Sequence, residues 1–459
     1  MNPLLQVNQL SIYHQAKQLV KPVNFTLYPD RPLTILGETG AGKSVILQSI
    51  MGILNSNLEA KGEVRLFNKI CTRQERQAMW GSKITALPQE PWHALDPLMP
   101  SYQQVALVHE QLGQLEPEPA FNAAMSNLRD LGLAGSAQKR VGQLSGGMAQ
   151  RLAVACATAG GAQILLADEP TKGLDVSRRD EVVNLLKRLT QGGGLLTITH
   201  DIEVAQALGG DILVLKNCEV VEQGAMAQVL AQPQHPYTRE LIEASPKYWQ
   251  SAPKQTQFEQ PVMQVEALSI GRQTVLASNI NFTIHAGEVV GVVGDSGCGK
   301  STLGDTLLGL LPTKSGHIKK QIQAQPYQWQ KLFQDPPSGL ASHVTLNTLL
   351  DDLVELHQIS RDKIAPLMQK LKLTPDLLTR QAREVSGGQL QRFAILRALL
   401  LEPVFLFADE PTSRLDPIVA KEITDVFIEL AKENGCALLL VSHDPELIEK
   451  RCDTVVHLS

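Results

Sequence analysis

The apolar positions near the start of the chain follow the alternation expected of β-strands. Leu10 and Ile12, and then Val23, Phe25 and Leu27, are separated by polar residues, so that one face of each segment is apolar. A period of two is typical of strands with one buried face and one face towards water. The opening of the chain therefore predicts half-buried strands.

Further along the chain, the apolar residues form short unbroken runs. These runs are Leu33–Leu36, Ile164–Ala167, Leu195–Ile198 and Val289–Val293, and they are typical of strands buried on both faces, as in parallel sheets. The first run leads through a glycine-rich segment into apolar positions with helical spacing between 45 and 54. Strand, turn and helix in that order predict an α/β fold.

Two glycine-rich segments follow these runs, GETGAGKS at Gly37–Ser44 and GDSGCGKS at Gly294–Ser301. Both match the phosphate-binding pattern G-x-x-x-x-G-K-[ST], in which glycines let backbone N–H groups wrap around phosphate oxygens. The helix that follows adds its positive N-terminal end. Lys43 supplies a cation for the terminal phosphates, and Ser44 supplies a hydroxyl ligand for Mg²⁺. A chance glycine-rich turn is the alternative for a single match, and the second match makes that alternative weak.

The two halves of the chain repeat each other beyond these segments. Five more pairs of motifs recur in the same order: QVNQLSI with QVEALSI, VNFTL with INFTI, LSGGMAQR with VSGGQLQR, LLADEPTKGLD with LFADEPTSRLD, and ITHD with VSHD. The spacing also recurs, because Ser145 and Asp168 are 168 − 145 = 23 residues apart and Ser386 and Asp409 are 409 − 386 = 23 residues apart. A repeat of this kind predicts two copies of one domain.

The repeat sets the expected domain boundaries. The first domain is expected at 1–246 and the second at 263–459. Residues 247–262 are polar with little periodicity, which predicts a linker. Two or three domains are also what a chain of 459 residues leads us to expect.

Composition narrows the classes of function. A net charge of −5 and an aromatic content of 4% argue against a broad nucleic-acid surface and against base-stacking platforms. The six cysteines show no C-x-x-C spacing, which predicts reduced thiols in a cytosolic protein and no zinc or iron–sulfur centre. No signal peptide is expected at the N-terminus, and the longest apolar runs, such as Ala437–Val441, are too short to span a bilayer. Action at a membrane is therefore expected to need a membrane-spanning partner.

An LSGG motif followed by an apolar strand that ends in DEP is highly specific. With these motifs the chain resembles the ATP-binding cassette (ABC) family of transporter ATPases, and the resemblance covers nearly the whole chain as two fused cassettes. It implies two tandem P-loop ABC ATPase domains of the α/β class. Each would have a mostly parallel core sheet, a small antiparallel β part and a helical subdomain, and would use ATP and Mg²⁺.

The resemblance also implies a role for each motif residue. The catalytic residues would be the general-base glutamates, the γ-phosphate histidines and the Q-loop glutamines, namely Glu169, Glu410, His200, His443, Gln89 and Gln334. The Mg²⁺ ligands would be Ser44, Gln89, Asp168, Ser301, Gln334 and Asp409. The nucleotide-binding residues would be one aromatic, the two phosphate loops and the LSGG helix starts, namely Tyr13, Gly37, Glu38, Thr39, Gly40, Ala41, Gly42, Lys43, Ser44, Ser145, Gly146, Gly147, Gly294, Asp295, Ser296, Gly297, Cys298, Gly299, Lys300, Ser301, Thr302, Ser386, Gly387 and Gly388.

Several of these roles have structural alternatives. The LSGG helix starts suit a γ-phosphate but are expected far from the lysine loop of their own cassette, and the family resolves this by head-to-tail pairing of two cassettes. Ser145 can equally be a plain N-cap. Tyr13 is expected to stack on adenine, and its alternative is a half-buried tyrosine at a strand end. Trp92, Leu95 and Met99, with Pro97, would line the groove for a membrane partner or pack the helical subdomain.

The second cassette departs from the first in three places. Gly271 stands where the first cassette has its tyrosine, although the neighbouring Arg272 is able to stack on a base. The stretch from the lysine-loop serine to the Q-loop glutamine is shorter, 334 − 301 = 33 residues against 89 − 44 = 45, which predicts a trimmed antiparallel part. No counterpart of the HPYTR tail at 235–239 is expected after His443.

The HPYTR tail and the ALDP segment at 94–97 resemble the subfamily that imports peptides and nickel. We therefore expect an ATP-hydrolysing subunit of an ABC importer for peptides, nickel or a metal chelate. Its partners would be two membrane-spanning permease subunits and an external solute-binding protein, with no nucleic acid, and it would lie peripherally at the cytoplasmic face of the inner (plasma) membrane. The alternative is a soluble, non-transport twin cassette acting on ribosomes or DNA. The short polar linker, the negative charge and the lack of zinc-type cysteine pairs argue against that alternative.

Overall fold

The computed structural model describes residues 2–38, 40–89, 94–172, 174, 176–295, 297–334, 339–413 and 415–458. The chain divides into two compact units, Met1–Ile242 and Glu243–Ser459. None of the helices in these described ranges is long and apolar enough to cross a membrane.

Two sheets form the framework of the first unit. Its strands are β1 (Leu5–His14), β2 (Lys17–Leu27), β3 (Leu33–Gly37), β4 (Leu58–Leu66), β5 (Lys69–Ile70), β6 (Ile84–Leu87), β7 (Ile164–Asp168), β8 (Gly194–Thr199), β9 (Asp211–Lys216) and β10 (Glu219–Ala225). In the described part of the unit, β2-β1-β4-β5 is an antiparallel sheet. The other sheet has the order β10-β9-β3-β8-β7-β6 and is parallel except for β10.

Helices connect and cover these strands. They are α1 (Lys43–Met51), α2 (Arg73–Ala78), α3 (Ser101–Gln111), α4 (Pro117–Asp130), α5 (Gly146–Thr158), α6 (Val176–Leu189), α7 (Ile202–Leu208), α8 (Met226–Ala231) and α9 (Pro236–Ala244). Between β6 and β7 the chain forms α3, α4 and α5, which is the helical subdomain expected from the sequence.

Strand β7 shows why the core strands are apolar throughout. Ile164 and Leu166 belong to a buried cluster that includes residues of β1, β2 and α1. Leu165 and Ala167 point the other way, into a cluster with residues of α3 to α7. Because both faces of the strand are covered, a polar residue on either face would be buried, and the alternation seen in β1 is lost.

The second unit repeats this plan with fewer strands in its described part. The strands are β11 (Pro261–Gly271), β12 (Val275–His285), β13 (Val289–Val293), β14 (Ser315–Lys320), β15 (Trp329–Leu332), β16 (Phe405–Asp409), β17 (Ala437–Val441) and β18 (Thr454–His457), and the helices are α10 (Lys300–Leu308), α11 (Leu346–His357), α12 (Ile364–Lys370), α13 (Gly387–Leu400), α14 (Pro417–Glu433) and α15 (Pro445–Arg451). The parallel order β15-β16-β17-β13-β18 matches β6-β7-β8-β3-β9. The antiparallel sheet is β12-β11-β14, and in the described residues between β14 and β15 nothing corresponds to β5 or α2. The shorter connection had predicted this trimming.

The stretch expected as a linker, 247–262, lies along the second unit. Trp249 is 5% exposed and belongs to that unit's core, and the guanidinium of Arg451 lies 4.5 Å from the centre of its ring. The amide of Gln255 donates to Asp453 Oδ1 at 3.0 Å. Strand β11 already begins at Pro261. The division into domains at 246 and 262 stays a prediction.

Candidate active site

The first glycine-rich segment forms the loop between β3 and α1. Gly40 and Gly42 have φ angles of 89° and 84°, a left-handed conformation that residues with a Cβ rarely adopt. Gly42 is the N-cap of α1, so the free N–H groups of the helix start lie at the loop. Lys43 Nζ donates to the backbone oxygens of Gly37 at 2.7 Å and Glu38 at 2.9 Å. Two hydrogen bonds therefore hold the lysine side chain against its own loop.

The second loop has the same geometry. Gly297 and Gly299 have φ angles of 88° and 106°, and Gly299 is the N-cap of α10. Lys300 Nζ donates to the backbone oxygens of Gly294 at 2.6 Å and Asp295 at 3.0 Å. The predicted residues Ala41, Ser44, Cys298, Ser301 and Thr302 lie in the two loops or in the first turn of α1 and α10. Thr39 and Ser296, also predicted to bind nucleotide, lie outside the described residues.

An aspartate ends the neighbouring core strand at each loop. Asp168 at the end of β7 accepts a hydrogen bond from the hydroxyl of Ser44, and burial raises the pKa of its carboxyl. Its Oδ1 is buried without a hydrogen-bond partner among the described residues. Asp409 at the end of β16 is paired with Ser301 in the same way, and burial raises its pKa too. A hydroxyl beside a buried carboxylate with a spare oxygen is a donor set that fits Mg²⁺.

This donor set is too small to hold a metal ion alone. Within the described ranges, no group of three or more His, Cys, Asp or Glu side chains could form a metal site. Mg²⁺ commonly uses one or two protein ligands together with water and substrate phosphates. The residues present therefore fit an ion that binds together with a nucleotide.

The residue after each aspartate is a buried glutamate paired with a histidine. Glu169 Oε1 lies 2.9 Å from His200 Nδ1, and Glu410 Oε1 lies 2.5 Å from His443 Nε2. Burial acts to raise the pKa of Glu169, but attraction to His200 and Lys43 outweighs it and the pKa is lowered. Burial acts to lower the pKa of His200, but Glu169 raises it. Both shifts of pKa favour the charged form of the first pair.

Both glutamates also have an uncommon backbone conformation. The φ angles are 48° at Glu169 and 51° at Glu410, a region that costs free energy for a residue other than glycine. The amides of these residues donate to the oxygens of Ile198 and Val441, on the adjacent strands, at 2.8 and 3.1 Å. The bend turns each glutamate away from the strand direction at the carboxyl end of the sheet, where open α/β sheets bind ligands.

The Q-loop glutamines differ between the units. Gln334 Nε2 donates to Glu410 Oε2 at 2.7 Å, which places it at the predicted general base. Gln89 lies two residues after β6 and makes no such bond within the described residues. Residues 90–93, with the predicted groove residue Trp92, lie outside those ranges. Leu95 is 5% exposed and belongs to the core of the helical subdomain, whereas the neighbouring Leu98 is 74% exposed.

The LSGG serines are N-caps. The hydroxyl of Ser145 accepts a bond from the amide of Met148 at 3.4 Å, at the start of α5. Ser386 does the same for Gln389 at 3.3 Å, at the start of α13. Gly146, Gly147, Gly387 and Gly388 form the first turns of these helices. Among the described residues of its own unit, neither serine hydroxyl bonds to a lysine loop.

Two buried glutamines on the LSGG helices are absent from the sequence-based site. Gln150 Nε2 donates to the oxygen of Pro170 at 2.8 Å, and Gln391 Nε2 donates to the oxygen of Glu410 at 3.1 Å. Both tie an LSGG helix to the segment that carries the general base. The repeat contained the signal, because the pair Gln-Arg recurs at the same place in both LSGG motifs.

The predicted adenine position is occupied very differently in the two units. Tyr13 lies near the end of β1, half-buried, and Lys61 Nζ lies 4.7 Å from the centre of its ring. Gly271 ends β11 at the matching place, and a Cβ there would lie 2.0 Å from the oxygen of Thr274. The turn to β12 therefore excludes any side chain at this position. Arg272 is exposed.

Comparison with known proteins decides the family. A family model described as ABC transporter matches residues 20–172 and 277–413, which is more than half of the chain. The chain belongs to the ABC transporter family. It is a tandem ABC ATPase that binds and hydrolyses ATP.

Relatives match this tandem ABC ATPase over nearly its whole length. It is 32% identical to "Peptidoglycan transport ATP-binding protein YejF" of Agrobacterium fabrum, over 99% of this chain and 90% of the relative. It is 30% identical to "Glutathione import ATP-binding protein GsiA" of Salmonella typhi, over 97% of this chain and 83% of the relative. Both relatives are therefore similar to the two cassettes together.

Solved structures show the same tandem fold. The structure titled "RNase-L Inhibitor" aligns with 97% of this chain and 87% of its own, with a TM-score of 0.67 and 19% sequence identity. The structure titled "Model of ribosome-bound archaeal Pelota and ABCE1" aligns with 97% of this chain, with a TM-score of 0.68 and 19% identity. At this level of identity the likeness concerns the fold alone.

Proposed function

We propose that this ABC ATPase powers the import of a small solute that contains a short peptide. The observation that carries the proposal is similarity along both cassettes to ATP-binding proteins for glutathione import and for peptidoglycan transport. Glutathione is a tripeptide and peptidoglycan carries peptide stems, so the two named cargoes share peptide chemistry. Nickel or a metal chelate remains the second cargo class, supported only by the HPYTR and ALDP segments.

The proposed partners are two membrane-spanning permease subunits and an external solute-binding protein. No helix in the described ranges is able to span a membrane, so a transport function needs other chains for the pathway. The protein would then act peripherally, at the cytoplasmic face of the membrane. Its net charge of −5 gives no support to a nucleic-acid partner.

We propose that each ATP site is shared between the cassettes. Site one would combine Lys43, Ser44, Gln89, Asp168, Glu169 and His200 with Ser386, Gly387 and Gly388. Site two would combine Lys300, Ser301, Gln334, Asp409, Glu410 and His443 with Ser145, Gly146 and Gly147. The support is that each LSGG helix presents a capped N-terminus, suited to a phosphate, whose serine hydroxyl makes no bond to the described residues of the loop in its own unit.

Within each shared site the residues divide the work of hydrolysis. Glu169 would take the proton of the attacking water, and its lowered pKa keeps it ionised at neutral pH. His200 would hold Glu169 in place and contact the γ-phosphate. Lys43 would hold the terminal phosphates, and Mg²⁺, bound by Ser44 and Asp168, would neutralise charge on them.

A test of the shared sites is disulfide cross-linking of cysteines introduced at Gly40 and Ser386. Addition of ATP to a variant that also carries Glu169→Gln and Glu410→Gln should increase cross-linking, because the closed form then persists. The matched control pair places cysteines at Gly40 and Ser145, which lie in one cassette. Equal cross-linking of the two pairs, with or without ATP, would contradict the head-to-tail arrangement.

The import function is tested by reconstitution with membrane-spanning permease subunits of the proposed kind, taken from the same organism. Proteoliposomes that also receive the matching solute-binding protein should take up labelled short peptides with ATP, and the double Glu169→Gln, Glu410→Gln variant should not. Parallel uptake of Ni²⁺ distinguishes the cargo classes. Failure to associate with any permease, together with ATP-dependent sedimentation with ribosomes, would favour the soluble twin-cassette function instead. The two solved structures named above do not favour that function, because their likeness concerns the fold alone.

A further inference from the structure

A tyrosine from the tail of the first unit touches the first phosphate loop. Tyr237 lies in the first turn of α9 and is 2% exposed. Its hydroxyl oxygen accepts a hydrogen bond from the backbone amide of Glu38, at 3.0 Å. Lys216 Nζ, at the end of β9, lies 4.5 Å from the centre of its ring. The tail is thus in direct contact with the loop that the nucleotide is expected to use.

The segment before Tyr237 is anchored so that this ring is fixed. Glu222 in β10 accepts the amides of Gln234 at 2.8 Å and His235 at 3.1 Å. Burial acts to raise the pKa of Glu222, but these amide bonds outweigh it and lower the pKa. His235 Nδ1 in turn accepts the amide of Tyr237 at 3.1 Å. Hydrogen bonds therefore fix the conformation of the HPYTR tail, and its histidine and tyrosine both take part in them.

Glu38 is held on both sides of its backbone. Its amide donates to Tyr237, and its carbonyl oxygen accepts from Lys43 Nζ at 2.9 Å. The preceding Gly37 is packed so closely on β9 that a Cβ there would lie 2.4 Å from the oxygen of Leu215. The start of the loop therefore lies between β9 and the phenol of Tyr237. Glu38 contacts both this phenol and Lys43.

The described residues of the second phosphate loop show no such contact. Asp295 occupies the place of Glu38, and its carbonyl oxygen accepts from Lys300 Nζ at 3.0 Å. Among the residues that the structure describes, no side chain accepts a hydrogen bond from the amide of Asp295. In the part of the chain that the structure describes, the first loop therefore has a phenol contact that the second loop lacks.

We propose that Tyr237 is a positioning residue of the first ATP site, which fixes the start of the phosphate loop through Glu38 and thereby prepares Lys43 for the nucleotide. Preorganisation of this kind strengthens binding because the loop does not have to be ordered when the ligand arrives. The inference rests on ATP binding by the family and does not depend on the solute or on the permeases. It also gives the HPYTR tail a physical role at the nucleotide.

The test is Tyr237→Phe, which keeps the ring and removes only the hydroxyl. Hydrogen exchange measured by mass spectrometry should show the amide of Glu38 exchanging about fivefold faster, because one hydrogen bond is lost. Photolabelling with azido-ATP, with the label mapped to each half of the chain, should show binding about fivefold weaker at the first site alone. Tyr248→Phe is the matched control, because Tyr248 is 47% exposed and outside the loop. It should change neither readout.

Two outcomes would overturn the proposal. Unchanged exchange at Glu38 in Tyr237→Phe would show that the hydrogen bond does not protect this amide. Faster exchange with unchanged ATP binding at the first site would show a structural contact without a positioning role. Neither outcome bears on solute import, since both readouts are made on the isolated chain.

Discussion

The loop lysines and the glutamate–histidine pairs are arranged alike in the two units, whereas their surroundings are not. Lys43 and Lys300 make the same two bonds to their own loops, and a buried glutamate contacts a histidine in each unit. A phenol from the tail contacts the first loop, and a half-buried tyrosine lies near the end of β1. At the matching strand end of the second unit lies a glycine that tolerates no side chain. We propose on this basis that both sites hydrolyse ATP and that they differ in how tightly they bind it.

A third difference between the units is a charged pair that acts on Asp409 in the second site. Lys331 in β15 pairs with Asp305 in α10 at 2.5 Å, and the two side chains are only 13% and 15% exposed. Counted from the Q-loop glutamine and from the loop lysine, the first unit has Ala86 and Gln48 at these places. Burial is the dominant effect on Asp409 and raises its pKa; Asp305 acts in the same direction, whereas Lys331 lowers the pKa. The second unit therefore has a charged pair at positions where the first unit has alanine and glutamine.

The largest expected effect is common to both sites. Glu169→Gln together with Glu410→Gln should retain ATP binding and slow hydrolysis by ~10²–10⁴-fold, because a positioned general base contributes about that much. Each single variant should remove hydrolysis at its own site. The measurement is phosphate release at saturating ATP, with Glu118→Gln as the control, since Glu118 is exposed on α4. Normal turnover in the double variant would mean that the glutamates are not the general bases. The two sites could then no longer be called alike on the strength of their glutamates.

The next effect should be confined to the second unit. Lys331→Met leaves the partly buried Asp305 without its partner, and the expected cost is about 1–3 kcal/mol of unfolding free energy, between that of an exposed pair and that of a fully buried pair. The matched control is Lys319→Met, which breaks an exposed pair with Glu266 and should cost under about 1 kcal/mol. Chemical denaturation, with hydrogen exchange of peptides from each unit, measures both. Equal losses of unfolding free energy in the two variants would mean that the Lys331–Asp305 pair contributes no more than an exposed pair.

A smaller effect concerns the adenine end. Tyr13→Ala should weaken ATP binding at the first site by about 1–3 kcal/mol, the range for stacking of a base on an aromatic ring. Lys61 lies over one face of this ring, so a base would have to stack on the other face. Arg272→Ala is the companion variant, because its guanidinium is the candidate for stacking at the second site. If Tyr13→Ala leaves binding unchanged, the tyrosine has only a strand-end role. If only Arg272→Ala weakens binding, the asymmetry shrinks.

The features that the sequence predicts well are those formed by neighbours along the chain. The apolar runs became β3, β7, β8 and β13, and the glycine-rich segments became loops that end in helix N-caps. The trimmed antiparallel sheet of the second unit followed from a count of residues between two motifs. Such features are predictable because strand burial, left-handed glycines and helix starts are set locally.

The features that the sequence does not predict are contacts between distant residues. Tyr237 and Glu38 are 199 positions apart, and the tail motif gave a hint of subfamily without a hint of its contact. Lys331 and Asp305 are 26 positions apart, and only the lysine within the strand sequence WQKL was an available signal. The pairing of Gln391 with the Glu410 carbonyl is of the same kind. Each depends on how elements pack, which local pattern does not encode.

The central claim is that the first site holds ATP more tightly than the second. The direct measurement is azido-ATP photolabelling of the wild-type chain over a range of concentrations, with the label mapped to peptides from each half. We predict half-saturation of the first site at a concentration at least about fivefold lower than that of the second, since stacking alone contributes ~1–3 kcal/mol. Competition by GTP should be weaker at the first site. Equal half-saturation of the two sites, or tighter labelling of the second, would contradict the account.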